Sequence, residues 1–298
     1  MISFDACANL RRILRPALLA CAALMTPAAF AAEPAKFAVI EWVQGSADIL
    51  NANGQARPAR LSEGVLAGET VVTGKDGELH VRTEDAGFVA FRSNTQVRID
   101  SYLAKGGKDD NMALSLVKGA LRSITGWLGR QNSANYSVRT PTATVGIRGT
   151  DHETHYVPPP GPNDPPSATP PGTYDKVVSG ATVIQNTGGQ VMIAAGQTGH
   201  APHEARSAPR VLDRAPAIYR PGNNDTRIDM RKKELAREVE SRIQERVNEI
   251  KDAAKDLKDG KDERDLKDLK ELKDAKERVD PAAARKAIER KRRKAAER

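Results

Sequence analysis

The sequence predicts a mainly β protein, a sandwich or roll of about ten short strands, followed by a long charged α-helical region. Three observations carry that expectation. Apolar and polar residues alternate with period two between positions 37 and 200, and glycine pairs punctuate the alternating runs. Beyond position 226 proline is absent until Pro281, and Ala, Leu, Glu, Lys and Arg dominate.

The elements follow in chain order. Arg11, Arg12 and Arg15 precede the apolar stretch 17–32, which closes on Ala29-Phe30-Ala31, the plan of a secretory signal cleaved after Ala31. Leu18-Leu19-Ala20-Cys21 has the look of a lipid-attachment box, but five residues separate Arg15 from Cys21, fewer than the roughly 7 to 15 of an apolar signal core. The expected mature chain therefore starts near Ala32, in the periplasm or outside the cell. It contains no cysteine, since Cys7 and Cys21 are the only two. Disulfides, cysteine-ligated zinc and cysteine nucleophiles are excluded for it.

Leu79 and Val81 alternate with His80 and Arg82, Val97 and Ile99 with Gln96 and Arg98, and Leu114 and Leu116 with Ser115 and Val117. Each such run sets one face on a core and the other toward water. Asn53-Gly54, Asp76-Gly77, Gly106-Gly107 and Gly188-Gly189 mark tight connections between strands. Prolines crowd 157–172, and their missing amide donors make that stretch an inserted loop in the β domain, which is expected over 32–201. Residues 202–225, with four prolines, read as a linker.

The region 226–298 is expected to be helical. Ile228, Leu235, Val239, Ile243, Val247, Ile250, Ala254 and Leu257 form a stripe suited either to self-association through 228–257 as a coiled coil or to docking on the β domain. From Asp265 the pattern becomes acid-apolar-base triplets, whose apolar residues spiral around a helix axis and form no lasting seam, as in a solvated spacer. Basic and acidic residues balance over 32–225 and over 226–284, whereas 285–298 hold eight basic residues against two acidic ones. The charge excess of the expected mature chain, +6, thus belongs to its end, where Arg285, Lys286, Arg290, Lys291, Arg292, Arg293 and Lys294 are candidates for contact with an anionic membrane or polymer. Nucleic acid is not an expected partner, because export removes the chain from it.

Chemical constellations are sparse. No nucleophile elbow, phosphate loop or zincin motif is present. On a strand His152 and His155 of Asp151-His-Glu-Thr-His155 point to opposite faces, so hydrogen-bonded surface histidines are expected there, not a metal site. No cofactor, metal or catalytic residue is expected, and the protein reads as a non-enzyme. Trp42 and Trp127 are expected to be core or rim anchors.

One longer run is distinctive: Val138-Arg-Thr-Pro-Thr-Ala-Thr-Val-Gly-Ile-Arg-Gly-Thr-Asp151. It resembles the signature of the FecR periplasmic domain family. Leu66-Ala-Gly-Glu-Thr-Val-Val-Thr-Gly74 and Val191-Met-Ile-Ala-Ala-Gly-Gln197 resemble the glycine-punctuated strands and closing turn of that family, so the likeness spans roughly 39–200. The resemblance implies a FecR-like β domain outside the cytoplasm and, in the well-known regulators, contact with an outer-membrane receptor and control of a sigma factor. Those regulators carry a membrane-spanning helix ahead of the β domain, where a cleavable signal is expected here, so what carries over is the binding-module fold. Read from its residues, the signature offers two roles. Gly146 and Gly149 flank a bulge or tight turn that closes the fold, or the same turn builds a partner-binding edge from Arg139, Thr142, Thr144, Arg148 and Asp151.

Overall fold

The computed structural model describes residues 34–259 apart from 106, 108, 128–134, 163–167, 205, 220, 221 and 223. The expected signal over 1–31, the triplets after Asp265 and the basic residues 285–294 lie outside the described residues.

Alternating sequence builds two sheets, and three long strands belong to both. These are β9 (Asn111–Ile124), β11 (Thr144–Val157) and β12 (Gly172–Asn186) in a chain-order count of fifteen. Each bends at a glycine in the left-handed region: Gly119 (φ 87), Gly149 (φ 61) and Gly180 (φ 81). A side chain at Gly119 would run into Thr95, and one at Gly180 into the backbone of Gly149. The ladder between β11 and β12 shifts register between Arg148 and Asp151, so the bulge falls at Gly149 and Thr150, whereas the Ile147-Arg148 stretch expected to hold it stays in regular register with Thr182 and Ala181.

One half of each bent strand pairs in the first sheet and the other half in the second. The first sheet runs β4 (Gly64–Leu66), β1 (Lys36–Gln44), β6 (Glu78–Thr83), β7 (Phe88–Phe91), β9, β11, β12, β14 (Thr198–Pro202) and β15 (Arg210–Leu212). The second runs β3 (Ala56–Pro58), β2 (Ala47–Leu50), β5 (Thr70–Thr73), β8 (Gln96–Leu103), β9, β10 (Tyr136–Arg139), β11, β12 and β13 (Gly189–Ala194). β10 lies parallel to β9, and the other pairings are antiparallel.

Between the sheets lies one core, drawn from the inward residues of both: Ile40, Leu79, Val81, Phe91 and Leu121 from the first, Ile49, Val97, Leu114, Val145 and Ile147 from the second. The edge-to-face contact of Phe37 and Tyr102, with centroids 5.2 Å apart, spans the gap. Asp85, 1% exposed, ties the core to a loop by accepting from the Tyr102 and Tyr136 hydroxyls. Burial, then the Asp85 charge, pushes both phenols far above their ordinary pKa.

Fifteen strands replace the expected ten or so, and three of the additional ones, β3, β4 and β15, span three residues each and carry no legible period. β15 and a 3₁₀ turn at Ala217–Tyr219 fall within 202–225. A 35-residue helix, α1 (Asp225–Asp259), follows. None of the helices among the described residues is long and apolar enough to cross a membrane.

Candidate functional site: one strapped face and one open face

The two sheets turn different outer faces to their surroundings, and α1 accounts for the difference. On β7 the inward residues are Val89 and Phe91, leaving Phe88 and Ala90 on the outer face. Ile228 and Leu235, seven residues apart and therefore on one side of the helix, bury against Phe88, Ala90 and Ile124. Of the two roles open to the apolar stripe, docking on the β domain is the one its first turns take.

Charged residues ring this apolar patch. Arg122 on β9 forms a two-pronged pair with Asp151, with both contacts at 2.9 Å, and also reaches Asp229 of α1 at 2.9 Å. Lys232 closes on Asp151 from the helix side at 2.7 Å. Burial pushes the Asp151 carboxyl up, but Arg122 and then Lys232 outweigh it and hold the pKa below the ordinary carboxylate range.

A second knot centres on Arg92, the residue just after β7, which binds Glu78, Glu153 and Asp225. Asn224 donates to Glu78 at 2.9 Å. Glu153 is lowered to about 2, because the His155 hydrogen bond and the Arg92 charge overcome its burial. A third knot joins Arg231 of α1 to Glu41 of β1, which Arg82 also binds. Beside the Arg92 knot a cleft of about 580 Å³ opens, but the carboxylates of Glu78 and Glu153 that line it are already engaged by His80, Arg92, His155 and Asn224.

The expected surface histidine at 152 is a correction. His152 is wholly buried between the sheets, with Nδ1 2.7 Å from Asp175, whose carboxylate also accepts from Thr154 and Thr182. The inward phase of β11 at 152 and 154 places it there. His155 points the other way, to Glu153 and edge-on to Tyr219. A His–Asp pair sealed from solvent presents no proton to a substrate. No group of three or more potential metal ligands occurs among the described residues.

The second sheet keeps its outer face open. Thr144, Gly146 and Arg148 point outward on β11, Ser137 and Arg139 on β10, and Ala181 and Val183 on β12, beside Met192 of β13, which is 62% exposed. Arg139 pairs in register with Thr144, and Arg148 lies four residues further along the same face. Neither arginine faces a carboxylate among the described residues, whereas Arg57, Arg82, Arg92, Arg98 and Arg122 each do.

Of the five residues predicted for partner contact, the structure brings Arg139, Thr144 and Arg148 together on this open face. Thr142 sits in the turn before it, sharing a hydrogen bond with Thr173. Asp151, past the Gly149 bend, lies on the other sheet under α1. Sequence reasoning missed Glu41, Arg92, Arg122 and Glu153. Their only local signal is a charge on or just after a strand, and the helix partners of Glu41, Arg92 and Arg122 lie 107 to 190 residues away.

Fold and faces together define a two-sheet β domain with a helix strapped to one side and a flat, arginine-bearing face on the other. Residues 69–157, from just before β5 through the end of β11, match the family model described as FecR protein, and this stretch is a FecR domain. A solved structure described as a cell surface anchoring domain is 28% identical over 21% of this chain and 83% of its own, with a TM-score of 0.21. Two structures assigned as an anti-sigma factor from Parabacteroides distasonis are 10% and 11% identical, with TM-scores of 0.35. Each of these two matches covers 48% of this chain and 57% of the other. No curated protein matches the chain at a significant level.

Proposed function

We propose that this chain is a non-enzymatic, exported FecR-domain module that binds a protein partner on the open face of its second sheet, as part of envelope signalling. The observation that carries the reading is the pair Arg139 and Arg148. Two exposed guanidinium groups on one flat face, unpaired among the described residues, favour a partner that presents carboxylates. The small neighbours Ser137, Gly146 and Ala181 let a partner backbone approach closely.

Photo-crosslinking in intact cells tests this, with the reactive amino acid placed at Thr144. The expected result is a discrete adduct that disappears in Arg139→Glu/Arg148→Glu and persists in Arg210→Glu. An adduct indifferent to reversal of both charges overturns the reading. Export is tested separately by the mass of the mature protein, expected to begin at Ala32.

A second reading, an envelope tether, is favoured by one observation: α1 is fixed to the β domain by its first three turns and runs on to Asp259, about 50 Å in all. In it the helix is a spacer and 285–294 grip an anionic surface. Removing 285–298 is expected to abolish association with phosphatidylglycerol vesicles and leave the Thr144 adduct intact.

A further inference from the structure

Beside α1, on the side away from the Arg92 knot, the first sheet carries a groove of about 530 Å³ that the proposed function does not use. It is lined by the side chains of Val39, Trp42, His80 and Phe88 and by the backbone at Ile40, whose side chain turns into the core, and Leu61, 63% exposed, stands at its rim. Leu61 precedes Ser62, whose φ of 67 places a residue other than glycine in the left-handed region at the tip of that turn. The far wall is the first turns of α1, with Arg227 and Arg231.

The two arginines differ. Arg231 is bound to Glu41, Glu234 and Glu238. Arg227 is exposed, lies 5.2 Å from the centre of the Trp42 ring, and has no carboxylate partner among the described residues. Glu41, the acidic residue of the lining, is neutralised by Arg82 and Arg231. The groove therefore sets an apolar strip of Val39, Trp42, Leu61 and Phe88 beside one cation that no carboxylate of the described residues neutralises, Arg227.

Main-chain groups at Val39 and Ile40 are spent: β1 pairs with β4 as far as Val39 and with β6 on its other side, and Ile40 donates to Glu63 and accepts from Ser62. A peptide entering here would find few backbone partners for its own amides, and an unmade amide hydrogen bond is costly in an apolar site. A ligand with no amides and a single anionic end meets every feature present.

We infer that this groove binds an acyl chain ending in a carboxylate, a fatty-acid-class ligand whose chain lies against Val39, Trp42 and Leu61 and whose head group pairs with Arg227. The volume suits a small amphiphile. The site is separate from the open face of the second sheet and does not depend on it.

Trp42 reports on the groove directly. The chain has two tryptophans, and Trp127 is 9% exposed, so Trp127→Phe isolates the signal of Trp42. Titrating the full chain with laurate below its micellar concentration is expected to change Trp42 fluorescence saturably. Arg227→Gln, at an exposed residue with no carboxylate partner, is expected to weaken that binding about tenfold. Dodecyltrimethylammonium, with the same chain length and the opposite charge, is expected to give no saturable change.

An equal response to both amphiphiles, or an unchanged affinity in Arg227→Gln, overturns the inference. Saturation by trileucine at lower concentration than laurate would reassign the groove to an apolar peptide. Far-ultraviolet circular dichroism shows whether Trp127→Phe folds. If it does not, wild-type protein and Trp42→Phe are titrated side by side with laurate: a response present in the first and lost in the second supports the inference, and one that survives in Trp42→Phe overturns it.

Discussion

Asp151 ends the signature that resembles the FecR family, and its carboxylate is 1% exposed with cations on two sides. Removing one partner of such a buried pair leaves a charge that water cannot reach, so Arg122→Ala is expected to cost about 3–5 kcal/mol, read as a lower urea midpoint at pH 7. Glu153 contributes to the acid sensitivity of the fold. Its folded pKa of about 2 lies below the roughly 4.3 of a free glutamate, so the stability it contributes is fully present above pH 4.3 and is lost as the pH falls through about 2. Between pH 4.5 and 2, Glu153→Gln is expected to flatten the decline of the urea midpoint relative to wild type. A decline of unchanged steepness would assign the acid response to other carboxylates, Glu78 and Asp151 among them.

At the scale of the element, α1 shows how a charged helix acquires a fixed place. Asp225 at its start accepts from the Gly222 N–H at 2.9 Å and pairs with Arg92, so the turn before the helix and the sheet beneath it are tied by one carboxylate. Apolar anchoring comes from Ile228 and Leu235, each worth about 1.5–3 kcal/mol when buried. Leu235→Ala is expected to leave the two sheets intact and to loosen the strap. Hydrogen exchange of the amides of 228–238 should then accelerate while that of β9 and β11 stays unchanged. The bent strands behave differently, because Gly149 is shared by both sheets. A β-branched residue there must hold φ near 61, and Gly149→Val is expected to reduce soluble yield and thermal midpoint together.

Across the whole molecule, the strap divides the surface into two kinds. Around the first sheet Arg92 and Arg122 are satisfied by strand carboxylates together with Asp225 and Asp229 of the helix, and Arg82 by Glu41, whereas Arg139 and Arg148 have no carboxylate partner among the described residues. The alternation in β6, β8 and β9 was legible in the sequence, as was the turn chemistry, while the irregularity near Gly146 and Gly149 falls at Gly149 and Thr150 and not on Ile147-Arg148 between them. The burial of His80 was not legible. Its position opposite Leu79 and Val81 reads as solvent-facing, yet it is 1% exposed because Trp42 and Phe88 pack around its ring on the strapped face. For the same reason Asp151 reads as a partner contact in the sequence and lies beneath α1 in the fold.

Periodicity, turn residues and composition by themselves determined that this chain makes short strands around a modest core, that a charged helix follows, and that cysteine chemistry is absent after residue 31. Local preferences act between neighbours, and those neighbours are written side by side. Only the tertiary structure decided which sheet face the helix covers, which arginines it neutralises, and that the end of the signature belongs to a different surface from its beginning. Those outcomes rest on ion pairs and apolar contacts between residues more than 100 positions apart, whose energies depend on distances in space that no local pattern records.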